Sequence, residues 1–430
     1  MINAPGPHSE VPLFLGAFKH MSHGANNEIG LKANIAWNTI GSVFYQGCLW
    51  LMTVLVVRLS SDYQNSGSLA FAMSIGNIYT ALGTYTVRTF QVSDVKNTYS
   101  ASNYVGLRVV TVLGALLGCG AYGLAVSPSF TTRAAVVTFL LFKADESFVN
   151  VLYGCDQKGM RLDYVGKSQI IRGFLVVSLF VVGMEVTRNL ALSIILIAIG
   201  CILVTLLYDL RKTNGLTDSL KPNISKEKAL YLLRKLFPTV LGNFLAGLVT
   251  SAARQYFAIA FGEEALGIYA SVATPCVIVQ VLAQNLYTPM LGPIATLRAN
   301  GDNRGARRKS IGLLLTVIGV ALGLSIPLVL FSGAILGALY GETILPYLDV
   351  LPPALLVTTG VASIYVVTDL LIVYDKLRKT LTVNVIAFVV MASLLVPLTS
   401  LCYMNGLNLT LLIAYLSGTL YGLWVLLRSS

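Results

Sequence analysis

Long apolar segments recur along the chain from residue 34 onwards, and they constrain the fold more than any other feature of the sequence. A helix needs about 20 consecutive, mainly apolar residues to cross a bilayer. Hydropathy gives twelve segments of about that length, separated by short polar or basic stretches. We therefore predict an all-α integral membrane protein with about twelve transmembrane helices. The predicted spans lie near residues 34–58, 67–92, 104–126, 131–155, 163–184, 189–210, 236–260, 267–292, 310–330, 350–374, 381–402 and 407–428.

Composition supports the membrane assignment and bears on possible partners. Of the 430 residues, 55% are hydrophobic and 11% are charged, whereas a soluble domain carries about 25% charged residues. The chain has 30 Lys and Arg against 19 Asp and Glu, an excess that is also found in nucleic-acid-binding proteins. Here the basic residues are spread over short loops between apolar spans, so membrane topology explains them better. We expect no nucleic-acid partner.

The distribution of basic residues over the loops predicts the orientation of the chain. Sorting the 30 Lys and Arg residues by loop places 24 at one end of the bundle, with Arg108 and Arg172 among them. We call this the basic end and the opposite one the far end. The positive-inside rule puts the basic end and both termini in the cytoplasm. The six remaining residues are Arg58, Arg133 and Arg188 at the far end, and Arg88, Lys143 and Arg254 inside spans.

A polar, basic segment between the sixth and seventh spans divides the chain into two halves. Because each half has six spans, both enter the membrane in the same direction, which is a parallel repeat about a pseudo-two-fold axis along the membrane normal. The end of span four, residues 153–158, is echoed by residues 373–376 at the end of span ten. The predicted domains are a cytoplasmic tail at 1–30, an N lobe at 31–212, a cytoplasmic linker at 213–235 and a C lobe at 236–430.

One apolar stretch fits this scheme poorly. The chain stays largely apolar from Phe331 to Tyr340, and glycines recur there at four-residue spacing, at Gly333, Gly337 and Gly341. We interpret this stretch as a re-entrant or interfacial piece.

Motifs for catalysis, metals or cofactors are missing from the sequence. The three histidines all lie within the first 23 residues, and the six cysteines lie in or beside apolar segments without a CxxC pair. Neither a phosphate-binding loop nor a nucleophile motif is present. We therefore predict no catalytic residue, metal or cofactor, and a protein that is not an enzyme.

Span four carries three charges in the middle of an apolar helix: Lys143, Asp145 and Glu146. At about 100° per residue, Lys143 and Glu146 share a face with Asn150, while Asp145 points almost the opposite way. A charge at mid-membrane costs about 2.5–3.5 kcal/mol on insertion scales, so such residues usually face a partner or a water-filled cavity on a substrate or ion path. The alternative is a structural ion pair between Lys143 and Glu146.

Polar residues in three other spans are weaker candidates. In span two, Asn77, Arg88 and Gln91 fall on one helical face, although Arg88 lies far enough from mid-span to reach the headgroups at the basic end instead. Arg254 lies off-centre in span seven. Asp369 lies near the basic end of span ten, where pairing with Lys376 is the alternative to a functional role.

Two segments of the N half resemble a known family. Residues 87–95, VRTFQVSDV, and the stretch from Lys143 to Asp163 are similar to the polysaccharide biosynthesis proteins of the oligosaccharide-flippase group, in the multidrug/oligosaccharidyl-lipid/polysaccharide (MOP) exporter superfamily. The family pattern has a carboxylate at the position of Glu146, but none at that of Asp145. The resemblance implies a V-shaped pair of helical lobes in a bacterial-type plasma membrane. It also implies that the protein moves a polyprenyl-diphosphate-linked oligosaccharide between leaflets, alongside other polysaccharide-assembly proteins.

The predicted function is therefore that of a flippase. A small-molecule exporter of the multidrug type shares the expected fold and is the first alternative, and a membrane polysaccharide polymerase or ligase is the second. Diphosphate oxygens suit Arg and Lys donors. The predicted substrate contacts are Arg88, Gln91, Lys143, Arg254 and Asn77. The predicted ion-coupling residue is Glu146, with Asp145 and Asp369 as weaker candidates.

Overall fold

A computed structural model describes residues 30–428, and these residues form helices joined by short turns. The predicted N-terminal tail lies, apart from Gly30, outside the described residues. The first half of the chain has eight helices and one π-helical turn, Thr205–Asp209. The helices are α1 Leu31–Arg58, α2 Gln64–Thr84, α3 Val87–Ser93, α4 Ala101–Val126, α5 Phe130–Lys158, α6 Leu162–Thr187, α7 Leu190–Val204 and α8 Leu210–Asn214.

The second half begins with a helix of 36 residues, Lys226–Phe261. Two 3₁₀ segments, Thr288–Met290 and Glu342–Val350, interrupt the helices that follow. The helices are α9 Lys226–Phe261, α10 Glu263–Ala273, α11 Cys276–Tyr287, α12 Leu291–Ala299, α13 Asn303–Leu330, α14 Ser332–Tyr340, α15 Leu351–Val373 and α16 Leu377–Leu427.

These elements confirm the predicted all-α fold. Within residues 30–428, eight helices are long and apolar enough to cross a membrane, and the bent run α10–α12 makes a ninth span. Helix α2 is rich in small polar residues and α5 carries the three mid-helix charges, so both are less apolar, but each has the length of a span. Helix α16 holds two spans, since its 51 residues change direction at Tyr403, where φ is 52° and ψ is −123°. The total is twelve.

The stretch predicted to be re-entrant or interfacial folds as α14 and the following 3₁₀ segment. Arg58, at the end of α1, donates hydrogen bonds to the carbonyl oxygens of Ala338 and, at 2.7 Å, Leu339. These carbonyls belong to the last turn of α14, where a helix favours a cation. Tyr63 and Thr343 form a further hydrogen bond of 3.0 Å. The stretch therefore joins the second half of the chain to the first at the far end.

Helices pack mainly within each half of the chain. In the first half α1 packs against α6, and α2, α4 and α7 pack against α5; in the second half α16 packs against α9 and α15. The halves meet where α2 crosses α9 and α10. A Cβ atom on Gly67 of α2 would come within 1.7 Å of the Glu263 carbonyl oxygen, and one on Gly267 within 2.1 Å of the Tyr63 carbonyl oxygen. Two glycines thus permit direct backbone contact between the halves.

Hydrogen bonds reinforce this crossing at the far end. The Glu263 carboxylate, in the first turn of α10, accepts from the hydroxyls of Ser129 at 2.6 Å and of Thr132. The hydroxyls of Ser66 and Ser271 lie 3.3 Å apart across the two halves. The far end of the protein is therefore closed in this conformation.

Candidate functional site

The predicted pair of charges in span four lies where α1, α2 and α5 meet. Lys143 Nζ lies 2.5 Å from the Glu146 carboxylate, whose second oxygen accepts a hydrogen bond from the Tyr45 hydroxyl of α1. The Lys143 stem passes Gly76 of α2, where a Cβ atom would be 3.5 Å from its Cγ. The Lys143 and Glu146 side chains are 18% and 19% exposed, so the pair is balanced in charge and partly accessible.

Asp145 points away from this pair, as the helical spacing predicts, and joins a second network. Arg172 of α6 donates to Asp145 at 2.6 Å and, through its other terminal nitrogen, to Asp209 at 3.1 Å. Thr205 accepts from Arg172 and donates to Asp145, both at 2.5 Å. The three charged side chains are 2–4% exposed. Thr205 and Asp209 lie on the π-helical turn, a geometry that often marks functional sites.

Counting Arg172 and Arg108 among the loop residues was wrong. Arg172 lies ten residues into α6 and Arg108 seven into α4, about 15 and 10 Å from the start of each helix. Arg172 is 1% exposed and Arg108 is fully buried. The loop sorting missed them because it assigned basic residues near span ends to the nearest loop. The apolar residues on both sides of each arginine were the signal that could have revealed them.

Arg108 holds a break in span two. Its guanidinium donates to the Gly83 carbonyl at 2.8 Å and to the Asn150 side chain of α5 at 3.2 Å. Helix α2 stops beyond Gly83 because Tyr85 and Thr86 both have left-handed backbones, with φ of 47° and 51°. Each such non-glycine residue costs roughly 1–2 kcal/mol. A cation at the end of the interrupted helix offsets part of that cost.

The break changes the predicted polar face of span two. Arg88 on α3 is half-buried and donates to Gln157 of α5 at 3.0 Å. Gln91 is 1% exposed and packs against Gly154 of α5, where a Cβ atom would lie 2.2 Å from its Oε1. Asn77 is exposed on α2. The single face expected for Asn77, Arg88 and Gln91 is therefore wrong, because the left-handed residues Tyr85 and Thr86 interrupt the helix between Asn77 and the other two.

One face of α5 nevertheless collects most of the candidate contacts, and we call it the polar stripe: Lys143, Glu146, Asn150 and Gln157. Lys143, Asn150 and Gln157 recur at seven-residue intervals, about 10 Å apart along the helix. Asn150 contacts Arg108, and Gln157 contacts Arg88. All four stripe residues are partly exposed. The stripe and its contacts carry three cations and one carboxylate, so the local charge is positive from mid-helix towards the basic end.

Two candidates lie in the second half of the chain. Arg254 of α9 is half-buried, forms no ion pair with any residue in 30–428, and its Nε has no hydrogen-bond partner. Asp369 accepts a hydrogen bond of 2.9 Å from the Tyr287 hydroxyl of α11. The alternative pairing of Asp369 with Lys376 is not seen within the described part of the chain.

The loop that follows α3 is fixed by Asp94. Its carboxylate accepts from the backbone N–H groups of Thr98 and Tyr99, both at 3.0 Å, and from the Tyr104 hydroxyl at 2.8 Å. Burial acts to raise the pKa of Asp94, but these hydrogen bonds hold this pKa below its ordinary value. The loop thus anchors α3, and with it Arg88, to the start of α4.

A twelve-span helical fold with a cationic stripe along one helix is that of a multi-pass membrane protein, and comparisons with known proteins agree on the fold. No protein-family model matches the sequence. Over 318 residues the chain is 24% identical to the capsular polysaccharide biosynthesis protein CapF of Staphylococcus aureus, covering 72% of this chain and 77% of CapF.

Several solved structures share the fold. The lipid II flippase MurJ, in an inward closed conformation, matches with a TM-score of 0.72 at 12% identity, with 90% of this chain and 87% of MurJ covered. An inward-facing multidrug resistance MATE family transporter of the MOP superfamily matches with a TM-score of 0.67 at 13% identity. The match covers 92% of this chain and 99% of that transporter. A variant of the Vibrio cholerae MATE transporter VcmN matches with a TM-score of 0.62 at 14% identity. The match covers 93% of this chain and 95% of VcmN. These matches confirm the predicted fold, and the similarity to CapF agrees with the resemblance read from the sequence.

The network around Arg172 predicts a strong dependence of stability on that residue. Arg172→Gln leaves two buried carboxylates without their cation, which should cost about 3–5 kcal/mol. We expect a large fall in thermal unfolding temperature in detergent and a reduced yield of folded protein. Arg188→Gln is the matched control, because Arg188 and its partner Glu185 are 67% and 50% exposed, and such pairs contribute at most about 1 kcal/mol. Equal melting temperatures for the two variants would contradict the assignment.

Proposed function

We propose that the protein is a flippase that moves a polyprenyl-diphosphate-linked oligosaccharide from the inner to the outer leaflet. The observation that carries this proposal is the surplus of cations along the polar stripe: Arg88 and Arg108 contact Gln157 and Asn150 of the stripe, Lys143 belongs to it, and Glu146 is its one carboxylate. A diphosphate headgroup presents acceptor oxygens and negative charge that such donors bind. The similarity to a capsular polysaccharide biosynthesis protein and to a lipid II flippase supports the same substrate class.

The headgroup contacts are assigned to Lys143 and Arg88 on the first half of the chain and to Arg254 on the second. Lys143 is the deepest of these cations on the stripe, and Arg88 lies nearer the basic end. Arg254 is half-buried, and its buried Nε has no hydrogen-bond partner among the described residues. Gln91 and Asn77 lie off the stripe in this conformation, so we give them no primary role.

A multidrug-type exporter is the second candidate, because MATE transporters share the fold. The surplus of fixed cations argues against cationic drugs as substrates. A polymerase or ligase is disfavoured because its catalytic face would need a long far-end loop, and residues 332–350 form helices that pack onto the end of α1 instead.

The first test concerns Lys143. Lys143→Ala should abolish transport of lipid-linked oligosaccharide into the outer leaflet of reconstituted vesicles and leave the amount of inserted protein unchanged. Lys143→Arg should keep part of the activity, since the charge is retained but its geometry differs. Lys309→Ala, which removes an exposed cation outside the stripe, is the control. Full transport by the Lys143→Ala protein would refute the headgroup role.

We propose that Glu146 couples substrate transport to proton uptake. In this conformation its carboxylate neutralises Lys143. Protonation of Glu146 would release Lys143 for the diphosphate and link substrate capture to proton uptake. An inside-negative potential would then assist outward movement by about 2.3 kcal/mol per charge per 100 mV.

The coupling role is tested with Glu146→Gln. We expect this variant to bind lipid-linked substrate and to lose the response of transport to an imposed pH gradient. Glu264→Gln is the matched control, because Glu264 is an exposed carboxylate outside the stripe and should keep the response. A Glu146→Gln protein that responds normally to the gradient would show that the pair with Lys143 is purely structural.

We propose that the basic end and both termini lie in the cytoplasm. We also propose that the N lobe (31–212) and the C lobe (236–430) move relative to each other about the crossing of α2 and α10. Transport then requires the far end to open. A Ser66→Cys/Ser271→Cys pair should form a disulfide on oxidation and block transport until reduced, because the two hydroxyls are 3.3 Å apart. Undiminished transport by the crosslinked protein would exclude alternating access at this crossing.

Native Cys402 reports the orientation in intact cells. It is exposed at the far-end bend of α16, whereas the other five cysteines are buried. Labelling of Cys402 by a membrane-impermeant maleimide added outside is the expected result, and labelling only after the cells are broken would reverse the topology.

A further inference from the structure

A groove lies at the basic end of the first half, beside span four and beneath the linker. It encloses about 610 Å³. Its lining residues are Val105 of α4, Phe148 of α5, Leu210 and Asn214 of α8, and Asp218–Pro222 of the linker.

The groove follows from how three spans pack. Helices α4 and α7 each pack closely against α5 but not against each other. Between α4 and α8, Phe148 of α5 lines the groove, about 15 Å from the end of α5 at Lys158. Val105 lies about 6 Å from the start of α4. The groove thus runs from the headgroup level of the membrane towards its apolar interior.

The linker covers the groove in a fixed position. The Ser102 hydroxyl of α4 donates to the Ser219 carbonyl at 2.9 Å, and the Asn223 N–H donates to the Ser102 carbonyl at 3.1 Å. The Asn103 side chain donates to the Asn223 carbonyl at 2.6 Å. Three hydrogen bonds on both sides of residues 220–222 therefore hold the groove open as a preformed space.

The polar rim of the groove presents one charge of each sign. Asp218 and Lys221 are both exposed, and neither forms an ion pair with any residue of the described chain. Inside the rim the groove is lined by Val105, Phe148 and Leu210. This combination fits an amphiphile whose headgroup carries both a negative and a positive group above an acyl chain.

We propose that the groove binds a membrane phospholipid whose headgroup contains a phosphodiester and a primary ammonium, for which phosphatidylethanolamine is the probe. Lys221 binds the phosphodiester as a point charge, and Asp218 accepts hydrogen bonds from the ammonium. The acyl chain lies on Phe148, between Val105 of α4 and Leu210 of α8. A purely anionic headgroup offers Asp218 no partner, and a choline headgroup offers it no N–H donor.

Lipid-dependent thermal stability of the purified full-length protein tests this site. A lipid that binds the folded state raises the melting temperature. We expect phosphatidylethanolamine to raise it by about 3 °C or more, and to raise it more than phosphatidylcholine or phosphatidylglycerol with the same acyl chains. Native mass spectrometry of the same samples should retain one phosphatidylethanolamine per chain.

Variants that remove one rim charge test whether the rim causes the preference for phosphatidylethanolamine. Asp218→Asn should equalise the shifts produced by phosphatidylethanolamine and phosphatidylcholine, and Lys221→Gln should reduce both. Glu227→Gln and Lys228→Gln remove exposed charges of α9 outside the groove and should leave the preference intact. Both rim residues are exposed, so these variants are expected to fold.

Three results would overturn the proposal: equal shifts by all three phospholipids, an unchanged preference in Asp218→Asn, or a shift produced only by a polyprenyl phosphate. The last would assign the groove to the lipid tail of the proposed transport substrate. Because the readout is lipid binding, its outcome is independent of whether the protein transports lipid-linked oligosaccharide.

Discussion

The rest of the structure depends on how charges buried among membrane-spanning helices are matched. A guanidinium or carboxylate removed from water costs several kcal/mol unless close partners compensate it. Arg172 lies between two carboxylates contributed by spans four and six, and this places α6 against both. Arg108 has no carboxylate beside it and is compensated by a helix end and an amide. These two arginines fix the relative positions of spans two to six.

With that framework in place, α5 has two opposite faces with different chemistry. Asp145 faces a closed network in which each charge has its partner inside the bundle. Glu146, the next residue, faces Lys143 and Tyr45 on the accessible side. Opposite sides of one helical turn therefore carry a closed ion network and a partly exposed polar stripe. This separation explains how span four can carry three charges and still be held firmly within the membrane.

Much of the fold could be predicted from the sequence because the period and length of apolar segments depend on the bilayer itself. The shared face of Lys143 and Glu146 was also predictable, since it depends only on helical geometry. The partner of Asp145 was not predictable, because Arg172 lies 27 residues from Asp145 and 37 residues from Asp209 in the chain. The break in span two was hidden for another reason: Tyr85 and Thr86 adopt a left-handed backbone without the glycine that normally signals one. Local sequence patterns therefore predict the positions of the spans. The arrangement of the site depends on contacts between spans, which local patterns do not show.

The docking of the linker onto α4 has a mechanical consequence. Read from the sequence, residues 213–235 are a tether of more than twenty residues, long enough to let the two halves drift apart. In the structure the tether is fastened to the first half as far as Asn223, and α9 begins at Lys226. The link between the last of these hydrogen bonds and the 36-residue helix α9 is thus only about two residues long. Beyond this link the first turns of α9 belong to the first half as well, since Leu232, Leu236 and Val240 lie in one buried cluster with Tyr104 and Leu152. A change of angle between the halves would therefore have to bend α9 itself beyond this packed stretch, because the start of the helix cannot swing independently of the first half.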